Sequence, residues 1–139
     1  MANTSLLDSH LNAENDHDVA KIMATYVASP RVTINGKTFI GLKNVELFHV
    51  RMGFGGGGAF SDVRVKEIKR HVAGEVVIIE QLLSGRHTGR WQGMAPTDKR
   101  FEVPVCTIYS LGQSGALISE DVYFDSAQIL KQLDAKTIP

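Results

Sequence analysis

The chain has 139 residues, 43% of them hydrophobic, and its 15 basic side chains balance 15 acidic ones to a formal net charge of +0. That length fits one domain around a single core and leaves no room for a second. A balanced charge argues against the clustered positive field that nucleic acid or an anionic membrane surface requires, so a small-molecule partner is expected, with no nucleic acid and no membrane.

Cys106 is the one cysteine, which excludes an intrachain disulfide and points to a reducing compartment. Residues 1–18 are polar and partly acidic, with neither the basic nor the apolar stretch of a secretory signal. The longest uninterrupted apolar run, residues 76–79, is far too short to span a bilayer. A cytoplasmic protein is the expectation.

In chain order, a short helix is expected around Leu6, Leu7 and Leu11. Asp16, His17 and Asp18 open a second, with carboxylates at the end the helix dipole favours. Val19, Ile22, Met23, Tyr26 and Val27 then recur at helical spacing along one face. Ser29-Pro30 ends that run, because proline disfavours a helical residue before it. Asn35-Gly36 joins two short strands, 31–34 and 37–40, since both turn residues tolerate positive φ. A helix over about 42–52 follows, with Leu42, Val45, Phe48 and Met52 on one side and Gly53 as its stop.

From Asp62 the pattern turns to long strands, the first running to a turn at Ala73-Gly74. Residues 75–88 carry Val76, Val77, Ile78, Ile79, Leu82 and Leu83, apolar on both faces, which predicts burial on both. Residues 101–111 and 117–124 form the last strands, and a closing helix carries Ile129, Leu130 and Leu133. This order makes an α+β arrangement with helices on one face of a sheet. A strand apolar on both faces then needs a cover on the far side, and a second subunit supplies it most simply, so a homodimer or homotetramer is expected.

The run His87-Thr88-Gly89-Arg90-Trp91-Gln92-Gly93-Met94-Ala95-Pro96-Thr97-Asp98-Lys99-Arg100 resembles a signature of the SnoaL-like polyketide cyclases. So does the ending, with Tyr123-Phe124-Asp125 and Leu130-Lys131-Gln132-Leu133. Asn15-Asp16-His17-Asp18-Val19 and Ala59-Phe60-Ser61-Asp62-Val63 fit the same template, so the resemblance runs from residue 12 to 134. It implies one domain over residues 1–139 with the cone-shaped fold of nuclear transport factor two and the ketosteroid isomerases. In that fold a curved, mostly antiparallel mixed sheet wraps around N-terminal helices and encloses a pocket. It also implies cofactor-free, metal-free acid/base chemistry of the intramolecular aldol type on a small carbonyl-rich ester or polyketide-like substrate. The family's acid/base aspartate matches Asp125. A carbon acid flanked by carbonyls is already acidic, so one desolvated carboxylate suffices as base. Holding the reacting carbons adjacent, with donors near the enolate, supplies the rest.

Four features depart from the family pattern. Asp98 and Asp134 stand where it has glycine, and residues 55–58 are all glycine where a connection usually carries side chains. No histidine stands on the 101–111 strand, where Tyr109 or Ser110 is nearest.

Plainer roles compete. Asp125 with Gln128 has capping-box spacing, and a capping carboxylate is a poor base. His87 is either a supporting proton donor in the pocket or a buried imidazole bonded to the backbone. Phe48, Trp91, Tyr109 and Tyr123 either line the pocket for a planar ligand or fill the core. His10, His17, His49 and His71 lack ligand spacing and read as surface or helix-flank residues, so no metal site is expected. Cys106 reads as a small core residue. The glycine run is no phosphate loop, since it follows a helix and no Lys-Ser/Thr comes after it. An Asp–Arg–Asp hydrolase set or a paired-histidine dehydratase set finds no support in the spacing of Asp121, Asp125 and Arg86. Alternation puts Asp121, Tyr123 and Asp125 on one strand face and Glu120, Val122 and Phe124 on the other, unless a bulge swaps them. Two function classes remain: a cyclase-type enzyme with Asp125 and His87 as catalytic residues, and a non-catalytic binding or interaction module of the same fold.

Overall fold

The computed structural model describes residues 2–133; Asp134 lies outside them. Three helices and a hairpin come first: α1 (Ser5–Asn15), α2 (Val19–Met23), β1 (Tyr26–Ile34), β2 (Lys37–Ile40) and α3 (Leu42–Met52). Long strands β3 (Phe60–Ala73), β4 (Val76–His87), β5 (Arg100–Leu111) and β6 (Leu117–Phe124) follow, and α4 (Ser126–Gln132) closes the chain. The strands form one mixed sheet in the order β2-β1-β6-β5-β4-β3. Only β1 and β6 run parallel; every other neighbouring pair is antiparallel. This is the α+β fold that the family resemblance implies.

Local chemistry accounts for most elements. Asn35 takes φ 47° and Gly36 φ 87°, so the β1–β2 turn uses two left-handed residues, as the Asn-Gly pair allows. Gly53 ends α3 at φ 116°. β3 is 14 residues long, and its register slips between Ser61 and Arg64 and again between Glu67 and Lys69. Such bulges bend a strand and raise its twist, which curls the sheet over α1 and α3. The core lies in that concavity, where Leu7, Ile22, Val32, Val45, Phe60, Val77, Ile79 and Val103 are almost fully buried.

Two expectations need correction. The helix expected to run through Val27 stops at Met23, and Tyr26 and Val27 already belong to β1. Pro30 lies inside that strand, in the interval between Tyr26 and Arg31 where the β1–β6 register slips. A residue without an N–H is tolerated at such an interruption, so the proline marks a break in the ladder and not a helix end. β4 is fully buried on one face only. Val77, Ile79, Gln81, Leu83 and His87 are buried, while Val76, Ile78 and Leu82 are half-buried. The outer sheet face also leaves Ile68, Val72 and Tyr123 exposed. Among the described residues no helix is long and apolar enough to cross a membrane.

The glycine run has one fixed point. A Cβ on Gly89 would fall 2.0 Å from the main-chain oxygen of Gly58, so loop 88–99 and the glycine run touch backbone to backbone. A Cβ on Gly57 would meet nothing within 4 Å. Gly89→Ala should therefore lower the unfolding free energy by about 2 kcal/mol or more, by forcing backbone apart. Gly57→Ala should change it by less than about 0.5 kcal/mol. Urea denaturation of both variants checks the pair.

Candidate functional site

The site is a cluster of buried ionisable groups where two helices meet the sheet. On α1 the buried residues Leu7, His10 and Glu14 follow helical spacing, and on α3 so do Val45, Phe48 and His49. The inward stripes of both helices thus carry polar groups where an apolar side chain would be routine. Glu120 on β6 pairs directly across the ladder with Tyr109 on β5, so both side chains share the concave face. Tyr26 at the start of β1 completes the group, and His10 and His49 have no exposed surface.

The bonding fixes both imidazoles. Thr25 Oγ1 donates to the Ile22 carbonyl at 2.6 Å, so the 2.9 Å contact with His10 Nδ1 has the imidazole donating. His49 Nδ1 donates to the Val45 carbonyl at 2.8 Å, since a carbonyl only accepts. Each ring therefore turns Nε2 toward the interior, and neither Nε2 has a hydrogen-bond partner. Two carboxylates face them instead. His10 Nε2 stands 3.3 Å from Glu120 Oε1 and 3.6 Å from Glu14 Oε2. His49 Nε2 stands 3.6 Å from Glu14 Oε2 and 4.0 Å from Glu120 Oε2. The Tyr26 hydroxyl donates to Glu120 Oε2.

Proximity decides the charge states. Burial alone would strip the proton from His10, but Glu120 and Glu14 outweigh it and push the imidazole up to about 10. Burial would likewise raise the Glu14 carboxyl, yet His10 and His49 hold it down at about 2. Burial and the Glu120 charge push the Tyr26 and Tyr109 hydroxyls well above the usual phenol range, so both remain donors.

The two glutamates face a cavity of about 50 Å³, walled mainly by apolar side chains including Phe48, Phe54, Leu83 and Val105. Its other polar lining is Gln81, Thr107 and Tyr109. Thr107 Oγ1 donates to Gln81 Oε1 at 3.1 Å, and Gln81 Nε2 donates to the Tyr109 oxygen at 3.3 Å. That chain leaves the Tyr109 proton to be offered to a ligand. An outer cleft of about 830 Å³ shares Ile34, Phe48, Met52 and Phe124 with the inner cavity, so the two spaces adjoin at these side chains. Lys37, Arg51, Arg90 and Trp91 stand on the cleft wall, which has no carboxylate among its described residues.

The structure gathers some of the sequence-derived candidates and disperses others. Phe48 lines both compartments, Tyr109 the inner one and Trp91 the outer one. Tyr123 points the other way, 52% exposed, onto a shallow cleft of the outer sheet face beside Leu82 and Cys106. Asp125 is exposed and caps α4, accepting from the Ala127 amide at 3.0 Å, with the Gln128 amide bonded to its main-chain oxygen. It lines neither compartment. His87 is fully buried away from both, and Nδ1 accepts from the Thr97 amide at 3.2 Å. Its backbone also bonds Lys99 and Asp98, so His87 pins the loop that carries Trp91. Burial holds this imidazole below the usual histidine range, in its neutral form.

Sequence reasoning missed His10, His49, Glu14 and Glu120. His10 and His49 are core residues, contrary to the expected surface or helix-flank placement. A signal existed: each falls on the apolar stripe of its helix, three or four residues from Leu7 or Val45. The expectation of no metal site rested on linear spacing, whereas His10, His49 and Glu120 converge from three elements with ligand atoms all within 4.8 Å of one another.

The family model for SnoaL-like polyketide cyclase matches residues 15–133. The chain belongs to this family. Among solved structures it is similar to a provisionally assigned polyketide cyclase from Pseudomonas putida, with 17% identity and a TM-score of 0.82 over 95% of this chain and 98% of that one. It is also similar to a protein of ketosteroid isomerase-like fold from Catenulispora acidiphila, solved in complex with trimethylamine. That match has 18% identity and a TM-score of 0.79 over 99% of this chain and 100% of the other. At such identities the likeness establishes the fold. No curated protein matches the chain in sequence.

Within this SnoaL-like fold the buried cluster should govern stability against pH. His10 keeps its proton up to about pH 10 when folded but only to about 6.5 when unfolded. Its stabilisation is thus complete below pH 6.5 and is lost as pH rises toward 10. Glu14 works oppositely, stabilising above pH 4.5 and losing that contribution as pH falls toward 2. Urea unfolding at intervals from pH 7 to 10 should show a steady loss of stability that His10→Gln removes. A slope unchanged in the variant would contradict the protonated buried imidazole.

Proposed function

We propose that the chain is a cyclase- or isomerase-type enzyme that moves a proton beside a carbonyl of a small molecule held in the inner cavity. One observation carries this reading: an ionisable carboxylate pair lines a mainly apolar cavity that adjoins a larger cleft. Glu120 is the general base, the role that the resemblance gave to Asp125. Tyr109, its cross-strand neighbour, donates its hydroxyl to the oxygen that gains charge as the enolate forms. The Thr107–Gln81 chain holds that phenol in place, and the His10 imidazolium and Tyr26 hydroxyl orient Glu120. The apolar walls exclude water and fix the reacting carbon over the base.

Charge runs from cations at the mouth to carboxylates at the floor. Lys37, Arg51 and Arg90 suit a substrate whose trailing end is anionic or rich in carbonyl oxygens. A β-keto ester or a short polyketide-like acid has that pattern, with its acidic C–H at the leading end.

The exposed, capping Asp125 favours a second reading, a non-catalytic binding module, because the family's acid/base position here serves the backbone. Deuterium exchange at the acidic carbon of a series of β-keto esters, followed by NMR, separates the two. The enzyme reading expects exchange above the buffer rate, a loss of about 10²-fold or more in Glu120→Gln, and a loss of about 10-fold or more in Tyr109→Phe. Asp125→Asn should exchange like the wild type. Loss in Asp125→Asn with Glu120→Gln unaffected would overturn the assignment, and binding without any exchange would favour the module.

A further inference from the structure

Beyond the proposed reaction, the geometry points to a binding site for a divalent first-row transition ion, zinc being the best match, formed by His10, His49 and Glu120. Three observations carry it. Both Nε2 atoms are fully buried, face the same interior point and have no hydrogen-bond partner. Both are aimed at the Glu120 carboxylate, 3.3 Å away from His10 and 4.0 Å from His49, so nitrogen and oxygen donors already converge there. The Nδ1 atoms are already committed, to Thr25 in one ring and to the Val45 carbonyl in the other. That is the support a metal-binding imidazole takes, because it fixes the tautomer and aims the opposite nitrogen.

The spacing is the third observation. Ligands at roughly 2.0–2.2 Å from a tetrahedral zinc stand about 3.3–3.6 Å from one another. The Nε2–oxygen separations are 3.3 Å for His10 to Glu120 and 3.6 Å for each histidine to Glu14, with 4.0 Å from His49 to Glu120. The shortest matches such an edge, and the His10, His49 and Glu120 ligand atoms all lie within 4.8 Å of one another, near enough for one ion to draw them together. Nitrogen and oxygen donors of this kind suit zinc and its neighbours, and the Glu120 ligand with the Glu14 carboxylate beside the histidines balances a doubly charged ion. Glu120 also lines the inner cavity, so a ligand entering it would approach an ion held there.

The rival occupant is a proton. An imidazolium between the glutamates balances charge too, and ion and proton compete for the same nitrogens. Zinc should therefore bind more tightly as pH rises, because only unprotonated imidazole ligates. With the ion in place Glu120 is a ligand and no longer a base, so the loaded form should not carry out the proposed proton transfer.

The test uses the full chain freed of metal by a chelator, with zinc and cobalt(II) as probes. Calorimetry should give one zinc per chain, tenfold or more weaker in His49→Gln and in Thr25→Val, which removes only the oxygen behind His10. Cobalt(II) should give the intense visible bands of a four-coordinate site. His71, paired with Glu80 on the surface, is the control, and His71→Ala should leave the stoichiometry at one. Absence of binding, or binding unchanged in both site variants but lost in His71→Ala, would overturn the site. If His49→Gln does not fold, anomalous scattering from a zinc-soaked wild-type crystal decides. A peak between the two Nε2 atoms supports the site, and a peak elsewhere or none overturns it. These readouts need no substrate, so the site and the proposed reaction stand or fall separately.

Discussion

Two carboxylates and two imidazoles share an apolar interior, and their mutual compensation is the constraint on which the other features depend. An isolated ion there would cost several kcal/mol, so each of the four needs a partner within reach. Glu14 and His10 come from α1, His49 from α3 and Glu120 from β6. No one of these elements can shift without leaving a buried charge uncompensated. The cluster therefore fixes how the first and third helices sit against the last strand. It also shapes the inner cavity, since the glutamates facing the histidines belong to its polar lining.

The surrounding fold serves that arrangement. The bulged, 14-residue β3 bends the sheet far enough to bring it over both helices. Antiparallel pairing of β5 with β6 sets Tyr109 beside Glu120, a donor next to a carboxylate, without any loop having to position either. Loop 88–99 is clamped at its base by His87 and packed against Gly58, and it presents Trp91 and Arg90 to the outer cleft. The buried ionisable cluster thus stands on regular elements, and Lys37, Arg51 and Arg90 line the outer cleft.

How much of this was legible in the sequence follows from how local each signal is. The Asn35-Gly36 hairpin, α3 with its Gly53 stop, and the long strands from β3 to β6 depend on neighbouring residues, and they stand where periodicity and turn chemistry put them. The switch from α2 to β1 was hidden, because Tyr26 and Val27 continue the helical apolar spacing and only pairing with β6 decides their state. The family motifs read as a fold correctly, yet the acid/base position they marked is a helix cap. The strand alternation had already separated Glu120, Val122 and Phe124 from Asp121 and Tyr123, and the first set lines the inner cavity. The buried histidines escaped because convergence from three elements leaves no trace in linear spacing.

The proposed reaction requires a small carbonyl compound to meet Glu120 and Tyr109 in the inner cavity. A crystal soaked with acetylacetone, a compact 1,3-dicarbonyl, tests this most directly. The predicted result is density in the inner cavity, with one oxygen at the Tyr109 hydroxyl and the central carbon over the Glu120 carboxylate. Density beside Asp125, on the outer sheet face near Tyr123, or only at the rim of the outer cleft would contradict it.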